Sequence, residues 1–226
     1  MTPISNHPVV VAVLSLLLIA TLILGFVMLG SHWIRNHVYA FALQSWLIAC
    51  VSVLVAVFGH YPLLFAVAGL TAAVRGVLIP YLVVRIIDRS GVGRESDPVL
   101  RSGSAMVVGA LAVIFAYIVA AQIQRQLPHL LPLGVLGLTV MLATSMISFL
   151  TLSLRTEALS NLLGLLLIEN GILAGEQILV PGMPFLLEIV ILFDLLVIIA
   201  TFAVLARSLH GSVGSTDIRK LGKLIG

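Results

Sequence analysis

This sequence is poor in charge. Only 9% of its 226 residues are Asp, Glu, Lys or Arg, against roughly a quarter in a soluble domain. So few charges cannot give a chain of this size a water-facing surface. With 61% hydrophobic residues and a mean hydropathy of +1.22, the solvent for most of the chain must be lipid. Cysteine is nearly absent. Cys50 stands alone inside an apolar run, which excludes an intrachain disulfide or a thiolate metal site. The six histidines (His7, His32, His37, His60, His129, His210) are scattered near expected helix ends. None forms a metal-ligand spacing within a span, and no nucleotide-binding motif occurs, so no cofactor or metal is expected. The formal charge of +3 and pI near 9.4 suggest nucleic acid at first sight. The basic residues form no patch, however, and membrane orientation explains them better.

What the sequence does have is long apolar runs. A spanning helix needs roughly 20 mostly apolar residues, and about seven stretches qualify: 8–31, 37–59, 62–87, 103–123, 130–153, 158–179 and 184–207. The first run, Val9 to Gly30, is too long for the apolar part of a secretory signal and no basic segment precedes it, so it reads as a retained span. Pro62, Pro128, Pro132, Pro181 and Pro184 stand at or just before first turns, where a missing N–H does no harm. Pro80 lies inside the third span, where it should kink the helix or loosen its hydrogen-bond ladder. The long polar segment Asp88 to Ser102 divides the chain into 1–102, with spans 1–3, and 103–226, with spans 4–7. The fold class expected is therefore an all-α integral membrane protein.

Lysine and arginine set the expected orientation. With seven spans, Arg35, Arg85, Arg89, Arg94, Arg101, Arg155, Arg207, Arg219, Lys220 and Lys223 all fall on one side, and Arg125 alone on the other. This bias predicts an outside N-terminus and a cytoplasmic C-terminus. Arg35 and Arg155 each open a two-helix segment that returns to the same side, at Arg85 and Arg207. Spans 1–3 and 5–7 are thus candidates for parallel repeats. Trp33, Tyr39, Tyr61 and Tyr81 near span ends read as interface anchors.

Four charges sit where lipid should forbid them: Arg75 in the third span, Glu169 in the sixth, and Glu188 and Asp194 in the seventh. Charges at depth are costly and usually mark a partner or a polar pathway. Glu176 follows Glu169 by seven residues, two turns along the same helix face. A very short turn joins spans 6 and 7, so their acids can stack: Glu169 with Asp194 at mid-depth, Glu176 with Glu188 further out. Desolvation disfavours an ionised carboxyl and a neighbouring cation favours it, so a change of partner can load or release a proton. Gln44, Ser45, Thr144, Ser145, Asn170 and Gln177 lie at similar depths and can hold water between these groups. Plainer readings stand beside this one. Arg75 with Asp194 or Glu169 can be a static pair that fixes helix register, Glu176 can lie at the interface, and the amides and hydroxyls can be interhelical glue.

These residues resemble a family. Gly164 to Asn170 (GLLLIEN), the acids of EIVILFD (Glu188, Asp194), the LAR closing span 7, Thr216–Ile218 in the tail, and Arg75 followed by Pro80 are similar to the hydrogenase-4 component E family. Members of that family are membrane subunits of group 4 hydrogenase and formate hydrogenlyase-type complexes. The resemblance covers the whole chain. Spans 5–7 also resemble subunit K of bacterial NADH-quinone oxidoreductase (complex I) and its small counterpart in Mrp-type antiporters. The resemblance implies a cofactor-free, non-catalytic subunit of a bacterial or archaeal cytoplasmic-membrane complex. Its partners would be antiporter-like membrane subunits and a quinone- or hydrogenase-type membrane anchor subunit, with no nucleic acid. Glu169 matches the first of two pathway glutamates in subunit K. Asp194 stands in the place of the second, with a shorter side chain, and Glu188 has no clear counterpart there. Together with the charges read at depth above, this gives Glu169, Asp194, Glu188, Arg75 and Glu176 as an expected proton pathway. The alternatives are a structural subunit with static ion pairs and a small stand-alone ion transporter.

Overall fold

Each apolar run that can be followed through its length is a helix, and the charges and prolines set where each one stops. The computed structural model describes residues 3–90, 102–155, 157–181 and, within the last apolar run, Leu192, Leu196 and Ile199. After a short 3-10 turn at Pro3–Asn6 come α1 (Pro8–Gly30) and α2 (Ile34–Gly59). The third span begins as α3 (Leu63–Leu70), widens into a π-helix (Thr71–Leu78) and ends as α4 (Ile79–Ser90). Then follow α5 (Ser102–Gln126), α6 (Pro132–Leu154) and α7 (Ala158–Leu179). Six helices among the described residues are long and apolar enough to cross a membrane. All regular elements among the described residues are helical, which fits a multi-pass membrane protein. The expected seventh span lies mostly outside the described residues. Leu192, Leu196 and Ile199 within it are helical, and Ile199 is buried beside leucines of α7.

The helix boundaries follow local chemistry. Pro8 and Pro132 occupy the first turns of α1 and α6, and Pro62 stands at the N-cap of α3. His60 ends α2 in the left-handed region at φ 61, its N–H donating to the Ala56 carbonyl. Pro80 has the effect expected of it in the third span, in a specific form. Its ring lacks an N–H and crowds the carbonyl one turn back. The wider π turns immediately before it relieve both conflicts.

Burial is inverted relative to a water-soluble protein. Large outward side chains are apolar, including Leu16, Ile23, Leu111, Phe115, Ile118 and Phe149. The fully buried set includes Thr21, Gln44, Ser45, Ser52, Arg75, Thr144 and Asn170. Buried hydroxyls are largely satisfied within their own helices: Ser45 donates to Phe41 O, Ser52 to Ile48 O and Ser148 to Thr144 O. Helix α7 packs most extensively on α6, through glycine. A Cβ at Gly175 would lie 2.5 Å from Met141 Cβ and 2.9 Å from the Gly137 carbonyl, and one at Gly171 would lie 2.8 Å from Thr144 Cβ. Only small residues permit this backbone approach, the usual device where helices associate in lipid. Helix α2 packs against α1, α7 and the π segment, so it stands between the two helices that carry Arg75 and Glu169.

One end of the bundle is tied by arginines. Arg35, in the first turn of α2, pairs with Asp88 near the end of α4. Arg155, just past α6, reaches the end of α1, where its Nη2 donates to Leu29 O at 2.7 Å and Ser31 O at 2.6 Å. The same carbonyl of Ser31 lies 2.9 Å from His37 Nε2. The ends of α1, α4 and α6 and the starts of α2 and α7 therefore share one face, below called the arginine face. The Tyr61–Pro62 and Leu127–Leu131 turns lie at the opposite face.

Candidate functional site

Mid-way along three of these helices, a polar knot interrupts the apolar core. Arg75 projects from the π segment and is fully buried. Its Nη2 donates to Glu169 Oε2 at 2.5 Å and its Nη1 to Asn170 Oδ1 at 3.0 Å. Consecutive residues of α7 thus grip the two ends of one guanidinium. Arginine suits this role because its planar fork presents two parallel donors and it cannot lose its charge. The backbone opposite is cleared by glycine: Gly76 packs so closely on the Trp46 indole that a Cβ there would lie 2.9 Å from Nε1.

The knot continues into α2. Asn170 Nδ2 donates to Gln44 Oε1 at 2.9 Å and to Ser45 Oγ at 3.1 Å. Gln44 Nε2 donates in turn to the Thr21 carbonyl of α1 at 3.0 Å. Thr21 Oγ1 donates to Leu18 O, which leaves the Thr21 carbonyl facing the amide of Gln44. Four spans therefore meet in one chain of hydrogen bonds, and Asn170 is its hub. Every member is neutral except the Arg75–Glu169 pair, whose charges cancel. Glu169 differs from the rest in keeping 23% of its side chain exposed, where Arg75 keeps none. The chemistry available is that of a carboxylate held by a fixed cation and reachable along one edge.

Among the described residues Arg75 is joined to Glu169; Asp194, the other partner expected for it, lies outside them. Glu176 lies near the far end of α7, partly buried, on the same stripe as Glu169. Glu188 and Asp194 lie outside the described residues, as do the stacked pairs expected of them. Gln44, Ser45 and Asn170 join the knot directly, while Ser145 donates to Met141 O within its own helix. Among the described residues Thr144 Oγ1 and both amide atoms of Gln177 are buried without a hydrogen-bond partner.

Sequence reasoning misses two features. The Thr21 carbonyl gives no signal, since any backbone carbonyl can accept. Arg155 enters the sequence argument for topology alone. Its position beside Glu157 in the short gap between two spans is the one hint that both are buried, at 6% and 3% exposure.

No family model and no solved structure matches the chain. It is similar to a Mycobacterium tuberculosis protein described as uncharacterized protein Rv0085, at 24% identity over 192 residues. That similarity covers 84% of this chain and 86% of the other, so the two share their length and not only a segment.

Proposed function

We propose that this chain is a cofactor-free membrane subunit of a hydrogenase- or complex I-like energy-converting assembly. In that reading Glu169 is a proton-handling group in the membrane. The observation that carries it is the Arg75–Glu169 pair at mid-span, hydrogen-bonded through Asn170 to a second helix. The fixed guanidinium balances the charge of the carboxylate, so the proton occupancy of Glu169 is coupled to that contact. An assembly that moves Arg75 relative to α7 during turnover would thereby load and discharge Glu169. Redox chemistry would belong to other subunits, and antiporter-like neighbours would receive the proton or the charge change. The arginine face would lie in the cytoplasm, following the bias of basic residues. Asp194 and Glu188, from the last span, would extend the pathway beyond Glu169.

The competing reading is a structural subunit, and one observation favours it. Both terminal nitrogens of Arg75 are hydrogen-bonded to consecutive residues of α7, as in a pair that only fixes helix register. Redox-driven proton translocation by vesicles carrying Glu169→Gln separates the two, with assembly checked on a native gel. An assembled complex that turns over and pumps poorly supports the proposal. Normal pumping reduces the pair to scaffold.

A further inference from the structure

Residues stacked next to the polar knot differ between its two sides on the three helices that give it their side chains. Toward the arginine face, the positions on the face of Asn170 are Leu163, Leu166 and Leu167, each fully buried. Below Gln44 and Ser45, α2 presents Val38 and Phe41, and beyond Arg75 the third span presents Ile79 and Val83, all at 0% exposure; His37, two turns from Gln44, is also buried but lies at the arginine face itself, its Nε2 against the Ser31 carbonyl. The apolar side chains among these form one continuous cluster. Toward the opposite face the same helices mix buried polar side chains with apolar ones such as Ile48, Val67 and Leu173. One turn beyond Asn170 is Ala174 and two turns beyond is Gln177, while two turns beyond Ser45 is Ser52. One turn from Arg75 in that direction is Thr71. All four are buried.

Helices α2 and α7 both start at the arginine face and run parallel, so equal steps from Ser45 and Asn170 keep Ser52 level with Gln177. The distance from Asn170 to Gln177 is about 10 Å along the axis at 1.5 Å per residue. Gln177 is 2% exposed, and neither its Oε1 nor its Nε2 has a hydrogen-bond partner among the described residues. An amide buried in this way costs free energy unless something polar meets it. Polar sites of this kind are where internal water binds.

We propose that Gln177 holds internal water, and that this hydrated site connects the Arg75–Glu169 pair to the face opposite the arginines, while the leucine layer seals the arginine face. The inference rests on Glu169 being the proton-handling group. It adds which side supplies it: protons would reach Glu169 past Gln177, Ala174 and the Asn170 hub. Glu176, near the same end of α7, would stand at the mouth of that route.

The test uses single cysteines in the assembled membrane complex after Cys50→Ala removes the native thiol. Silver ion, small and charged, is added to one side of right-side-out or inverted vesicles. Loss of later labelling by a fluorescent maleimide in detergent reports the thiols it has reached. Gln177→Cys is expected to be blocked from the face opposite the arginines only. Ala174→Cys, one turn deeper and nearly isosteric, is expected to follow it, which guards against a misfolded Gln177 variant. Leu166→Cys is expected to stay labelled from both sides. Protection of Cys substitutions at both 174 and 177 from silver on either side, or blocking of Leu166→Cys from the arginine face, would overturn the inference. Silver access as proposed, combined with normal pumping by Glu169→Gln, would retain the hydrated site and refute the proton role.

Discussion

Removing one charge of the Arg75–Glu169 pair should cost more or less depending on which charge remains. Glu169→Leu strands a guanidinium with no exposed side-chain surface. Arginine cannot shed its proton, so the remaining charge stays, and Asn170, its other hydrogen-bond partner among the described residues, is neutral. A buried charge deprived of its partner destabilises by about 3–5 kcal/mol. Arg75→Met leaves a carboxyl that is 23% exposed and can become neutral by binding a proton. Its cost falls to that of a poorly satisfied polar group, about 1–3 kcal/mol. The double variant Arg75→Met/Glu169→Leu leaves no charge behind, and apolar replacement of a buried pair is commonly close to neutral. The expected order of stability is wild type and double variant together, then Arg75→Met, then Glu169→Leu. Unfolding by increasing sodium dodecyl sulfate in mixed micelles, followed by circular dichroism, measures each step of this cycle. Equal losses from the two single variants, or losses that simply add in the double variant, would refute the reasoning. They would mean that the charges do not depend on one another.

Two further perturbations test the packing around the site. Gly175→Leu must push Met141 or the Gly137 backbone aside and should destabilise by about 1–3 kcal/mol or more through overpacking. Its midpoint in the same unfolding assay checks this, and Gly69→Ala, which meets nothing, should shift it far less. Arg155→Lys keeps the charge and loses the Nη2 group that donates to both Leu29 O and Ser31 O. Faster amide hydrogen exchange in the last turn of α1 and the first of α2 should follow, with the centre of α7 unchanged.

Much of this architecture is written in the sequence because lipid is an undemanding solvent. A run of about 20 apolar residues can do little in a membrane except form a helix. The apolar pattern puts the third span at 62–87, and the helix extends from Leu63 to Ser90. It puts the sixth at 158–179, and α7 occupies those residues. Pro80 discloses a fault in the ladder. That the fault is a run of π turns, with Arg75 in it, is not legible, because a kink satisfies the same local chemistry. The depth of Arg75 and of Glu169 is likewise readable by counting from the span ends.

Which residues meet is a different matter. In a water-soluble helix the polar stripe announces the outward face, whereas here lipid-facing and core-facing positions are both apolar, so hydropathy carries little rotational information. Counting along the chain is enough to find repeated apolar spans and to put Arg75, Glu169 and Asn170 near the middle of theirs. Only the packing shows that Arg75 bonds Glu169, that Asn170 joins that pair to Gln44 and Ser45, and that leucines lie on one side of the knot while a buried amide stands on the other. Those pairings depend on the order in which helices pack and on their rotation about their own axes. Glycine contacts such as Gly175 on Met141 and the reach of one arginine fix both, and neither leaves a period in the chain.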